Sequence, residues 1–114
     1  KFAEGFLLTR RNILWFYEHY LRNDEDVNDP RFTPLLEKDL SNLPKTTIVL
    51  AGYDPLYDEG LEYSERLKVN GNQVEVLNYS GMIHGFISFS GVIDQADECL
   101  DLCASALRRS FGLE

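Results

Sequence analysis

The order of apolar patterns along these 114 residues predicts an α/β fold: two parallel strands joined through a helix, a βαβ unit, with three helices flanking them. Three observations carry that expectation. Thr46–Tyr53 (TTIVLAGY) is a β-branched apolar run of strand length with little alternation, as in a strand buried on both faces of a parallel sheet. Residues 73–79 (QVEVLNY) form a second strand-like run. Between them, residues 55–70 read as a helix, which supplies the crossover a parallel pair requires.

The elements follow in order. Over residues 9–21, Ile13, Phe16, Tyr17, Tyr20 and Leu21 recur at three- and four-residue steps, predicting a helix with one buried face that Trp15 thickens. Residues 22–34 are rich in Asn, Asp and Pro and read as a loop, and residues 39–44 continue the irregular path to the first strand. In the second helix Gly60, Tyr63, Ser64 and Leu67 mark the packing stripe, and Gly71 supplies the permissive position that ends it. After the second strand, residues 80–90 form a loop. A last helix then carries Val92, Ile93, Ala96, Cys99, Leu100, Cys103, Ala106 and Leu107 on one apolar face.

Composition narrows the class. With 44% hydrophobic and 26% charged residues the chain is an ordinary globular domain in composition. A formal net charge of −8 without a basic stripe argues against nucleic-acid binding and polybasic membrane docking. No apolar run approaches the ~18 residues of a membrane span, and no secretory signal pattern opens the chain, so the expected address is cytoplasmic. Cys99 and Cys103, four apart on one helix, read as packing residues. The acidic cluster from Asp24 to Asp29 lacks the spacing of a calcium loop, and no metal site is expected.

In folds of this type chemistry collects at the carboxyl ends of the strands. Asp54 stands at the first such end, in Gly52-Tyr53-Asp54-Pro55-Leu56-Tyr57-Asp58-Glu59-Gly60, and His84 at the second, in Gly81-Met82-Ile83-His84-Gly85-Phe86. Asp before Pro is also an ordinary helix start, and a histidine beside glycine is also an ordinary turn residue. Two adjacent parallel strands, however, present both side chains at one edge of the sheet. An Asp–His hydrogen bond there would fix the imidazole tautomer and support a general base acting on a hydroxyl nucleophile. The residues alone leave both readings open.

These two segments, at this separation, resemble the C-terminal part of an α/β-hydrolase of the hormone-sensitive-lipase-like esterase family. Trp15-Phe16 with Tyr20-Leu21, Asp29-Pro30-Arg31 leading to Thr33-Pro34-Leu35, and Asp39-Leu40-Ser41 with Leu43-Pro44 agree with that family in the same order, so the similarity runs along nearly the whole chain. The resemblance implies a C-terminal fragment of an α/β-hydrolase fold over residues 1–114, with Asp54 as the acid and His84 as the base of a Ser-Asp-His triad. It further implies a small-molecule ester as substrate and no cofactor, and it makes Asp58 a partner of the histidine loop. Leu56, Ile83 and Phe86 flank the pair as candidates for a substrate pocket or for core packing.

The family's Gly-x-Ser-x-Gly elbow and His-Gly-Gly type loop do not occur in this sequence, and none of its seven serines has glycine at both −2 and +2. The chain by itself is therefore expected to be inactive, its nucleophile lying in an upstream segment. The alternative is a hydrolase-derived, non-catalytic interaction module. Either way the first strand is expected to leave one edge open and to pair there with another copy of the chain, giving a homo-oligomer.

Overall fold

A computed structural model of the chain describes residues 2–113. Its centre is a two-stranded parallel sheet, β1 (Thr46–Tyr53) and β2 (Val74–Ile83), in register from Thr46 opposite Val74 to Ala51 opposite Tyr79. Of three α-helices, α1 (Arg10–Tyr20), α2 (Tyr57–Val69) and α3 (Asp94–Ser110), the last two pack on it, and short 3-10 turns lie at Asp24–Asn28, Pro34–Leu36 and Phe86–Phe89. The α/β class and the βαβ order stand as the sequence predicts.

α1 starts where its chemistry dictates. The Thr9 side chain accepts the Asn12 N–H while the Asn12 side chain accepts the Thr9 N–H, a reciprocal cap that satisfies two otherwise orphaned donors. The expected buried face is not observed: no α1 residue is buried, and Trp15, Phe16 and Tyr20 are half or more exposed. Amphipathic spacing reports that a helix has a face to cover, and among the described residues the cover is partial: Phe32 stacks on Tyr20 and meets Tyr17 edge-on.

α2 packs through Ser64 and Leu67, both fully buried, and ends at Gly71 in the left-handed region. It begins at Tyr57, two residues later than Pro55, because Asp54-Pro55-Leu56 forms a turn before the helix. The segment running into β1 is stitched to α2 by side chains. The Arg66 guanidinium donates to the carbonyls of Leu35 and Glu37. Asn72 donates to the carbonyls of Leu40 and Leu67 and accepts the Leu43 N–H. These bonds replace the secondary structure that the Pro- and Asp-rich sequence withholds.

β2 runs four residues beyond the expected end at Tyr79, through Ser80, Gly81, Met82 and Ile83. α3 begins at Asp94, with Val92 outside it and exposed. The buried stripe of α3 is Ala96, Cys99 and Ala106, whereas Leu100 and Leu107, expected on the same face, are 42% and 57% exposed. Ala51, Phe86, Ala96 and Cys99 form the main core cluster, with Val49, Tyr79, Met82 and Cys103 against it. Both cysteines are free thiols. Burial pushes the Cys99 thiol up, as for a packing residue. The Tyr79 hydroxyl is sealed in this region without a hydrogen-bond partner among the described residues, and burial followed by the neighbouring Cys99 pushes its pKa up to about 12.

Candidate active site

The carboxyl ends of β1 and β2 bring Asp54 and His84 into contact. Asp54 leaves β1 through a tight turn in which its N–H reaches the Ala51 carbonyl and its carbonyl accepts the Tyr57 N–H. Its carboxylate faces two donors: Oδ1 accepts the Leu56 N–H at 2.8 Å, and Oδ2 lies 2.6 Å from His84 Nδ1. An ionised carboxylate only accepts, so the proton of that second bond sits on Nδ1. In the neutral ring the lone pair is then on Nε2, the nitrogen that remains to take a proton from a substrate or nucleophile.

Burial grades across the pair. The Asp54 side chain is 13% exposed and that of His84 42%, so the carboxylate is shielded while the imidazole reaches solvent. Shielding strengthens the charge-assisted bond. His84 is held from both sides: Ile83 ends β2 before it, and Gly85 follows in the left-handed region at φ +72°, where a side chain would be strained. Phe86, 2% exposed, anchors the turn in the core with its ring 4.9 Å from that of Tyr79.

Of the flanking apolar residues, Phe86 is taken up by the core, so of the two roles open to it the structure shows packing. Ile83 is half-buried beside the imidazole. Leu56 lines a concavity of about 370 Å³ with Tyr17, Phe32, Pro34, Glu59 and Tyr63, to which neither Asp54 nor His84 contributes. Asp58 and Glu59 lie in the first turn of α2, at the positive end of its dipole. The Leu56 N–H is the one polar contact of the pair that pattern reading missed; the signal was Asp-Pro-Leu read as a turn, where an Asp side chain bonds the backbone two residues on. Among the described residues no group of three or more His, Cys, Asp or Glu side chains is arranged to hold a metal ion.

An α/β sheet with an acid on one strand end hydrogen-bonded to a histidine on the next can hold an imidazole in one tautomer at a sheet edge. Residues 1–88 match the family model described as alpha/beta hydrolase fold, and the chain belongs to that family. It is 46% identical over 88 residues to the carboxylic ester hydrolase LipN of Mycobacterium tuberculosis, covering 76% of this chain and 23% of that protein. To the ethyl acetate hydrolase of Pseudomonas putida it is 34% identical over 109 residues, covering 96% and 34%. Among solved structures, an α/β-hydrolase enzyme from the metagenome of Lake Arreo superposes with a TM-score of 0.91 at 40% identity, over 97% of this chain and 35% of that one. The thermostable metagenomic carboxylesterase EstE1 gives 0.90 at 39% identity, over 95% and 36%. The chain thus spans about a third or less of the length of these relatives.

Proposed function

We propose that the chain is the C-terminal, acid–base portion of the catalytic domain of a serine carboxylester hydrolase, with Asp54 and His84 completing a triad whose serine lies in another segment of the polypeptide. The 2.6 Å contact between Asp54 Oδ2 and His84 Nδ1 carries this reading, and the esterase names of its relatives support the substrate class. His84 Nε2 takes the proton of the serine hydroxyl as it attacks the ester carbonyl. It later returns that proton to the departing alcohol, and Asp54 holds the ring in the tautomer that can do both. Ile83 borders the ester at the histidine, Leu56 contributes through the concavity of about 370 Å³ beyond the pair, and no cofactor enters the chemistry. The reading includes a cytoplasmic address; the structure itself contributes that no helix of the described residues is long and apolar enough to cross a membrane.

Ester hydrolysis by the full-length polypeptide tests this. Asn at position 54 keeps an oxygen for the Leu56 N–H but turns an amide toward His84. Nδ1 must then accept, and the proton moves to Nε2. kcat should fall about 10⁴-fold in Asp54→Asn. His84→Ala should be at least as deficient while remaining folded. Wild-type activity in either variant removes the pair from the mechanism. The 114-residue chain alone, without nucleophile, should give no acyl-enzyme burst with an activated short-chain ester; a burst blocked by a serine-directed inhibitor would overturn that part.

The open sheet favours a second, compatible reading. β1 has β2 as its one strand neighbour among the described residues, so its other edge offers unpaired backbone groups to a second copy of the chain.

A further inference from the structure

The pairing of β1 with β2 breaks just before the candidate site. Ala51 lies opposite Tyr79, yet Tyr53, two residues on, lies opposite Ile83, four residues on. β2 therefore sets three residues, Ser80, Gly81 and Met82, against Gly52 alone, two more than an even register needs. In an unbroken parallel register Tyr53 would face Gly81 and Asp54 would face Met82, leaving His84 about 6–7 Å further along its strand than the carboxylate. The bulge takes up that distance. Bulges re-aim side chains in this way beside active sites.

The bulge needs room, and Gly52 provides it. A Cβ at position 52 would fall on the backbone of Ser80, 2.7 Å from both its Cα and its carbonyl carbon and closer still to its carbonyl oxygen. The obstructing atoms are main chain of the bulge itself, so the bulge would have to move out. At Gly60, by contrast, an added Cβ meets the end of the buried Leu50 side chain, at 2.7 Å, and no main chain, so packing there would have to give but the register would not. We propose that the Ser80–Met82 bulge, seated on Gly52, is the register device that brings His84 level with Asp54, and that Gly52 is a positioning residue for the pair. The proposal rests on the acid–base reading above for its kinetic consequence but not for its geometry.

The test is Gly52→Ala in the full-length polypeptide, with Gly60→Ala as the control for lost packing alone. Gly52→Ala should lower kcat about 10²-fold with KM within about two-fold, and should abolish or move upfield the strongly deshielded His84 Nδ1 proton resonance that a histidine–carboxylate bond produces. Gly60→Ala should leave that resonance in place. An unchanged kcat and resonance in Gly52→Ala overturns the proposal, as does a lost kcat with the resonance intact. If the parent hydrolyses no ester, the acid–base reading fails and the resonance alone decides the positioning role. If Gly52→Ala does not fold, the unaltered protein decides: interstrand NOEs must pair Tyr53 with Ile83, and pairing with Gly81 while the Asp54–His84 bond persists refutes the device.

Discussion

Asp54 and Tyr79 show how differently one sheet treats two ionisable side chains. Asp54 faces a donor at each oxygen, and both donors are set by local geometry: a turn that aims the Leu56 N–H and a strand end that aims His84. That much was legible because Asp-Pro-Leu follows the first strand-like run directly and His-Gly stands in the loop read after the second. Which duty the carboxylate would take was not legible: helix capping and histidine pairing use the same residue types, and the structure gives one oxygen to the turn and the other to the ring. Tyr79, opposite Ala51 in the register, carries its hydroxyl into the core, where no pattern marks it as special. Its raised pKa means that the folded state holds the neutral phenol. The associated stability is present below pH ~10 and is lost as pH rises from there through about 12. An ultraviolet absorbance titration should show one of the six tyrosines ionising about two pH units late, together with the onset of alkaline unfolding. In Tyr79→Phe that late step should vanish, with stability at neutral pH little changed, since the hydroxyl deleted has only the weakly bonding Cys99 thiol beside it. A late step that survives the substitution would assign the behaviour to another tyrosine.

Among the elements, the strands and helices with regular periods were placed to within a few residues, and the errors cluster where periodicity gives way to side-chain chemistry. β2 outruns its apolar pattern because a bulge interrupts the alternation without ending the pairing. α2 starts late because Asp54 spends its carboxylate on the preceding turn. Residues 22–34 read as loop, yet they are ordered by two ion pairs, bidentate from Arg22 to Asp26 and centred on Asp29 for Arg31. Arg-x-x-x-Asp or Asp-x-Arg spacing alone does not announce such clamps, since the backbone bend that closes them is not periodic. The Arg31 hydrogen bonds hold the Asp29 carboxyl down at about pH 2, and the Arg22 hydrogen bonds lower that of Asp26. Both shifts favour the charged, folded arrangement, so their contribution is complete above pH ~4 and is withdrawn as pH falls from there toward 2. Hydrogen-exchange protection at the amides of Arg31 and Arg22, which the Asp29 and Asp26 carboxylates accept, should fall over that interval before the sheet opens. High salt should weaken the same protection at neutral pH, because the pairs lie at the surface. Protection that is indifferent to both would show the segment to be held by its turns alone.

The whole molecule is larger in surface than its mass calls for. A folded chain of 13.1 kDa has an accessible surface of about 6,400 Å² by the usual scaling, and this one has 8128 Å². Its radius of gyration, 15.7 Å, likewise exceeds the roughly 13 Å of a closed domain of this length. The excess, about 1,700 Å², is twice what one partner contributes to a standard protein interface. It is apolar where it counts: Trp15, Phe16 and Tyr20 on α1, Leu100 and Leu107 on α3, and Phe111 beyond it are all more than 40% exposed. Composition could not reveal this, because 44% hydrophobic content is the same number whether the side chains are covered or not; only the placement of α1 does, which meets Phe32 but leaves Trp15, Phe16 and Tyr20 open. A surface of this kind beside an open β1 edge gives the isolated chain a strong drive to associate, opposed by the electrostatic cost of bringing together copies that each carry −8. Raising ionic strength screens that repulsion and leaves the apolar drive intact, so association should strengthen with salt rather than weaken. Sedimentation of the 114-residue chain should therefore show species heavier than 13.1 kDa at high protein concentration, shifting further toward them on adding salt. A monomer throughout the concentration range would remove the strand-edge oligomer.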